Sequence, residues 1–75
     1  MQRIILCTSL HPRDHYFTGK YGNGVAVYQQ RAGSLFARHV TTLPLNEAIR
    51  VVNDMNRASR ERFEAAAAHL DLVLP

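Results

Sequence analysis

Cysteine is nearly absent from this chain of 75 residues, in which Cys7 is the only one. A single cysteine excludes an internal disulfide and a thiolate metal cluster within one chain, and it is typical of proteins in a reducing compartment. Long apolar runs are absent as well, since the first covers only residues 4–7. The core of a signal peptide needs roughly 7 residues or more and a membrane helix about 20. We therefore expect a cytoplasmic protein without a membrane segment.

Acidic side chains are scarce in the first part of the chain. Asp14 is the only one among residues 1–44, which also contain Lys20 and four arginines. The formal net charge of +3 therefore arises from this part, because the acidic side chains of residues 45–75 slightly outnumber the basic ones. With 47% hydrophobic and 20% charged residues, the composition predicts one small domain spanning residues 1–75. So small a domain gains from self-association.

Three apolar segments predict strands. The run "RIILCTSL" contains two isoleucines and predicts a strand at the centre of a sheet, covered on both faces. The segments "GVAVYQQ" and "SLFARHVTT" are separated by Arg31, Ala32 and Gly33, which is short enough for a hairpin in which Gly33 adopts a positive φ. Gly22, Asn23 and Gly24 allow the same conformation at the entrance to the first of these two strands.

After Thr42 the apolar residues recur at steps of three and four, which predicts an amphipathic helix from Leu45. Pro44 suits the first helical turn, and the Thr42 hydroxyl is placed to cap its free amides. We expect an α+β domain: a small antiparallel sheet of three or four strands with one long C-terminal helix packed on one face, in the order β-β-β-α. Residues 70–75 form either a closing strand or the frayed end of the helix.

The predicted helix is too long for its own sheet. From Leu45 to Asp71 it would measure about 40 Å, whereas a globular chain of this length is about 30 Å across. The helix therefore either breaks within residues 53–59, where weak helix formers cluster, or extends its apolar stripe onto a second molecule. We favour a homodimer, with an interface formed by Met55, Ser59, Phe63 and Ala66.

Metal binding is considered for the stretch "HPRDHYFTGKYGNG", which covers residues 11–24. Its His11, Asp14 and His15 are of the types that bind zinc, but a spacing of four brings two ligands together only on a helix, and Pro12 disfavours one here. A further ligand from elsewhere in the sheet would be required. We therefore predict no metal site.

Catalytic and nucleotide-binding motifs are considered for the same stretch. No Ser-His-Asp, Cys-His or paired-carboxylate spacing is present, so we predict a protein that is not an enzyme. The glycines of "GKYGNG" match neither the dinucleotide nor the triphosphate loop, and a strand follows where both motifs require a helix. We therefore predict no cofactor.

Residues 11–24 are instead predicted to be a basic, aromatic contact loop, because loops of this length in small domains are usually functional or disordered. The predicted contact residues are Arg13, Tyr16, Phe17, Lys20, Tyr21 and Arg38. We expect a small binding protein that acts through protein–protein contacts, such as a regulator or inhibitor of a host complex. Small proteins of phages and plasmids, for example those directed at a defence system, have this size. The alternative is a nucleic-acid-binding protein that places these cations on phosphates and these rings on unpaired bases.

Overall fold

The computed structural model describes residues 3–73, with the backbone alone described for residue 21 and residues 69–73. Four antiparallel strands form one sheet in the order β1-β4-β3-β2, followed by one helix. The α+β class and the C-terminal helix are thus confirmed. The elements are β1 (Ile4–Leu6), β2 (His15–Tyr21), β3 (Gly24–Gln30), β4 (Phe36–Leu43) and α1 (Leu45–Val73).

Two hairpins build most of the sheet. The predicted hairpin of β3 and β4 is confirmed, and Gly33 turns it with a φ of +74°. A second hairpin joins β2 to β3, and here Gly22 has a φ of +59°. The prediction of a contact loop over residues 11–24 is therefore wrong for most of its length, because β2 pairs with β3 from His15 to Tyr21.

The first strand lies at an edge of the sheet, so its predicted central position is wrong. β1 pairs with β4 alone, and its side chains Ile4 and Leu6 are 64% and 66% exposed. Only Ile5 between them is half-buried and packs against the core. One face of this apolar run therefore lies against the domain, and the other is open to solvent.

The core is divided between the two faces of β3, whose side chains alternate. Ala26 and Tyr28 are buried on one face, where they pack with Ala37 of β4. Ile5, Cys7 and Phe17 complete this cluster. The cluster includes no described residue of α1, whereas Val27 and Tyr16 are buried on the other face. The helix therefore covers that second face, together with its own buried Ala48.

The helix begins without the predicted threonine cap. The carbonyl of Pro44 accepts the first helical hydrogen bond from the N–H of Ala48, at 2.9 Å. Thr42 belongs to β4, and its hydroxyl oxygen lies 2.7 Å from Nε2 of His39. The hydroxyl is therefore engaged within the sheet.

The helix continues without a break from Leu45 to Val73 and extends beyond the sheet. At 29 residues its length is about 43 Å, and the molecule measures 52 Å along its long axis against 24 Å and 19 Å. Residues 60–66 are exposed throughout, so the predicted overhang is confirmed and the predicted break is wrong. Residues 70–73 are helical rather than a strand, and residues 74–75 lie outside the described part. No helix in the described part is long and apolar enough to cross a membrane.

Candidate functional site

The edge of the sheet at β2 is closed by a side chain of the helix. Asn56 accepts a hydrogen bond from the N–H of Tyr16 at 2.7 Å and donates one to its carbonyl at 2.8 Å. In an antiparallel ladder every second residue points both backbone groups away from its partner strand, and Tyr16 does so here. An asparagine amide has the donor and the acceptor that a neighbouring strand would supply. Asn56 therefore substitutes for a missing strand at this position.

Ser59 extends this closure by one helical turn. Its hydroxyl donates to the carbonyl of Asp14 at 2.5 Å, and the side chain is only 3% exposed. Residues three apart lie on the same face of a helix, so Asn56 and Ser59 reach the same edge together. These weak helix formers led to the prediction of a break, and their role is to dock the helix on β2.

The rest of the β2 edge carries a charge. By alternation from Tyr16, the backbone groups of Thr18 and Lys20 also point outward, and both side chains are exposed. A lysine on an edge strand disfavours the addition of another strand, which would desolvate its ammonium group. Asn56 thus occupies the β2 edge at Tyr16, and the edge carries the charge of Lys20 at its other end.

The edge at β1 is open. The carbonyl of Arg3 accepts from the N–H of His39 at 2.9 Å, and the N–H of Cys7 donates to the carbonyl of Leu35 at 2.7 Å. These bonds set the alternation, so the N–H and C=O groups of Ile4 and Leu6 point away from β4. Within residues 3–73, no strand lies beside β1 on that side.

Apolar side chains flank this open edge on the helix side of the sheet. Phe36, opposite Leu6 in the register, is 60% exposed, close to the values for Ile4 and Leu6. The helix makes its contacts with β4, β3 and, above all, β2, which leaves this corner of the sheet uncovered. We call the corner formed by Ile4, Leu6, Phe36 and Arg38 the β1 surface.

A shallow groove of about 200 Å³ with mostly apolar walls lies in the β1 surface. Arg38 stands on its wall, where its Nε donates to Oε1 of Gln29 at 3.0 Å. The Gln29 amide is itself oriented, because its Nε2 donates to the hydroxyl of the buried Tyr16 at 2.8 Å. These two hydrogen bonds link Nε of Arg38, through Gln29, to a tyrosine buried beneath the helix. They therefore fix the position of that guanidinium nitrogen. The groove is lined by Ile4, Gln29, Arg31, Ser34, Phe36, Ala37 and Arg38.

The β1 surface and its groove thus combine unpaired strand backbone, exposed apolar side chains and the two arginines Arg31 and Arg38. No protein-family model, curated protein or solved structure matches the chain. We therefore infer the function of the protein from the chemistry of the β1 surface. Contiguous exposed apolar side chains rimmed by polar ones are typical of interaction sites.

The contact residues predicted from the sequence do not lie together. Tyr16 is 5% exposed beneath the helix, so its ring is not available to a partner in the folded domain. Phe17 is half-buried on the opposite face and stacks on Tyr28 with ring centroids 5.4 Å apart. Lys20 lies on the β2 edge, and Arg38 alone belongs to the β1 surface. Arg13 is half-buried in the connection before β2, and the side chain of residue 21 is outside the described part.

A row of rings crosses the face of the sheet that the helix leaves open. His11 stacks on His15 with centroids 4.1 Å apart, and His15 lies 6.0 Å from Phe17. Burial lowers the pKa of His15, and the nearby His11 and Arg13 lower it further. In the described part no three potential metal ligands of the His, Cys, Asp or Glu types come together. The row packs rings against one another and against the core.

Proposed function

We propose that this protein is a small non-enzymatic binding protein that acts through protein–protein contacts at the β1 surface. The observation that carries the proposal is the exposure of Ile4, Leu6 and Phe36, at 64%, 66% and 60%, beside an open strand edge. Regulation or inhibition of a host complex, as by phage- or plasmid-type proteins directed at a defence system, is the role that we propose. The lone Cys7 favours a cytoplasmic partner.

The burial of rings favours a protein partner over nucleic acid. Binding of single strands relies on aromatic side chains that stack on bases, and Tyr16 and Tyr28 are 5% and 1% exposed. Phe36 is the exposed ring at the open edge, but the neighbouring Ile4 and Leu6 are aliphatic and offer no stacking surface. They match the apolar centre of a protein interface.

The apolar contacts alone offset little more than the lowest cost of association. Burying the exposed parts of Ile4, Leu6 and Phe36 would contribute about 1 to 2 kcal/mol each. Association costs at least about 4 kcal/mol in lost rotational and translational freedom. A stable complex therefore also requires polar contacts at the same place, and the edge backbone and Arg38 are positioned to make them.

Affinity capture from nuclease-treated extract of the native host tests the proposal. The matched variants are Leu6→Asp at the β1 surface and Leu45→Asp at the start of the helix, where the leucines are 66% and 58% exposed. We expect the same partner protein to be retained by the wild type and Leu45→Asp and lost by Leu6→Asp. Capture that survives Leu6→Asp, or that disappears after nuclease treatment, would contradict it.

A homodimer through the overhanging part of the helix is a separate proposal. Met55 and Phe63 are 39% and 40% exposed, and Ala66 is exposed as well. Ser59 leaves the proposed interface because it is buried against Asp14 of its own chain. Sedimentation of the wild type as a dimer and of Phe63→Glu as a monomer would support this interface, and a monomeric wild type at high micromolar concentration would remove it.

A further inference from the structure

The backbone of β1 restricts what can cover it. The N–H and C=O groups of Ile4 and Leu6 point out of the sheet, so a partner that excluded water without bonding them would leave them desolvated and unpaired. A helix satisfies its own backbone groups internally and has none to offer here. An extended segment offers N–H and C=O groups at the matching spacing, as in strand addition to a sheet edge.

The side chains beside the edge fit such a segment. Alternate residues of an added strand would point to the helix side of the sheet, next to Ile4 and Leu6 and over the groove that Phe36 lines. The groove volume of about 200 Å³ is below the roughly 300 Å³ at which small-molecule pockets begin. It therefore suits one or two apolar side chains of a peptide better than a separate ligand.

The positive charge of the groove favours an extended segment that contains a carboxylate. Arg31 and Arg38 both line the groove and are exposed, and the one ion pair recorded in the described part joins Arg57 to Asp54 on the helix. Gln29 holds Nε of Arg38, and no described protein group bonds its Nη atoms. An oriented guanidinium binds a carboxylate with little further loss of side-chain freedom.

A second copy of this chain is a poorer occupant of the edge. Pairing β1 with β1 of another copy would bring two cationic grooves to one continuous sheet. It would also supply no carboxylate, because the acidic residues of the chain are Asp14 and those within residues 45–75.

We propose that the partner binds as an extended segment added to the open edge of β1, with an apolar side chain in the groove and a carboxylate on Arg38. This inference rests on the proposed function and specifies the chemistry of the partner. The recognised segment alternates apolar residues and contains an aspartate or glutamate.

A peptide selection tests this inference on the intact chain. A random peptide library is panned on the wild type, and enriched peptides are retained if Leu6→Asp fails to bind them. Each is then synthesised unmodified, with its acidic residues changed to amides, and with alternate backbone nitrogens methylated. The proteins compared are the wild type, Arg38→Gln and, as a matched exposed arginine on the helix, Arg57→Gln.

We expect removal of the carboxylate to weaken binding about tenfold on the wild type and on Arg57→Gln, and less than about twofold on Arg38→Gln. We expect methylation of one alternate set of nitrogens to weaken binding at least tenfold and the other set to have little effect. Equal carboxylate dependence on Arg38→Gln, or indifference to both methylation patterns, would overturn the inference. So would a selection that yields no peptide sensitive to Leu6→Asp. The proposed function would survive each of these results if the host partner is still lost on Leu6→Asp.

Discussion

At the β2 edge the helix supplies Asn56 to both backbone groups of Tyr16, whereas at the β1 edge the groups of Ile4 and Leu6 face outward with apolar side chains around them. Both edges belong to antiparallel strands of the same sheet, so their backbone chemistry is the same. The difference lies in the side chains that the rest of the chain places beside each edge. Polar and charged side chains protect an edge strand from further pairing, and apolar ones invite it.

The difference between the two edges follows from where the helix docks on the sheet. The polar positions of the helix at Asn56 and Ser59 dock it on β2, and its contacts with the sheet decrease from β2 to β4, which leaves the corner at β1 uncovered. A helix centred over the sheet would bury Ile4 and Phe36 and remove the candidate site. The position of the helix is therefore part of what creates the β1 surface.

The largest effect is expected when the closed edge is opened. Asn56→Leu leaves the partly buried N–H and C=O of Tyr16 without their partners, and we expect the free energy of unfolding to fall by about 2 to 4 kcal/mol. Urea denaturation followed by circular dichroism measures this. Asn53→Leu is the matched control, because Asn53 is exposed on the same helix and its replacement should change stability by no more than about 0.5 kcal/mol. Equal stabilities of the two variants would mean that the amide does not close the edge.

A smaller loss of the same kind is expected at Ser59. Ser59→Ala removes the hydrogen bond to the carbonyl of Asp14, and we expect a loss of about 1 kcal/mol in the same measurement. Alanine has the higher helix propensity, by roughly 0.5 kcal/mol, so propensity alone predicts a gain. A variant more stable than the wild type would show that this bond contributes little.

Acid should lower the free energy of unfolding through protonation of His15, the first residue of β2. Its pKa in the folded protein is lowered by burial and by His11 and Arg13, so the folded state binds fewer protons than the unfolded state near the usual value of about 6.5. Stability is then fully present above that pH and falls as the pH drops through it towards the folded pKa. We expect the urea midpoint to decrease from about pH 7 to 5 and His15→Gln to flatten this decrease. An unchanged slope in the variant would assign the effect to other groups.

The smallest effect on stability is expected at the open edge. Leu6→Asp replaces a side chain that is already 66% exposed, and we expect unfolding to change by less than about 1 kcal/mol. The same urea measurement checks this and also shows that the binding variant is folded. A loss as large as that of Asn56→Leu would place Leu6 in the core and end the contrast between the edges.

Local patterns in the sequence predicted the class of the fold, the hairpin turned at Gly33, and the overhang of the helix. Each depends on residues close together in the chain or on a simple length. The segment "HYFTGKY" is predicted as part of a loop because Gly19 and Lys20 disfavour a strand, although its aromatic residues and the glycine turn that follows favour one. The consecutive strand formers Tyr16, Phe17 and Thr18 are the available signal for β2.

Of the residues of the β1 surface, only Arg38 could be predicted as a contact residue from the sequence. A continuous apolar run does not distinguish an edge strand from a central one, because that depends on which strand pairs beside it. Asn56 and Ser59 look like weak helix formers in the sequence, because their bonding partners lie 40 and 45 residues earlier in the chain. The sequence predicts an exposed Tyr16 for the same reason, because the helix that buries it comes much later in the chain.

The bond between Asn56 and Tyr16 also bears on the order in which the chain folds. The hairpins close over short stretches of chain, whereas this bond closes over 40 residues and needs both β2 and the helix in place. We expect the hairpins to form first and the helix to dock late. Because the N–H of Tyr16 points out of the sheet, Asn56 alone shields it from exchange with solvent deuterium among the described residues. The exchange rate of that single amide therefore reports how often the helix leaves the sheet.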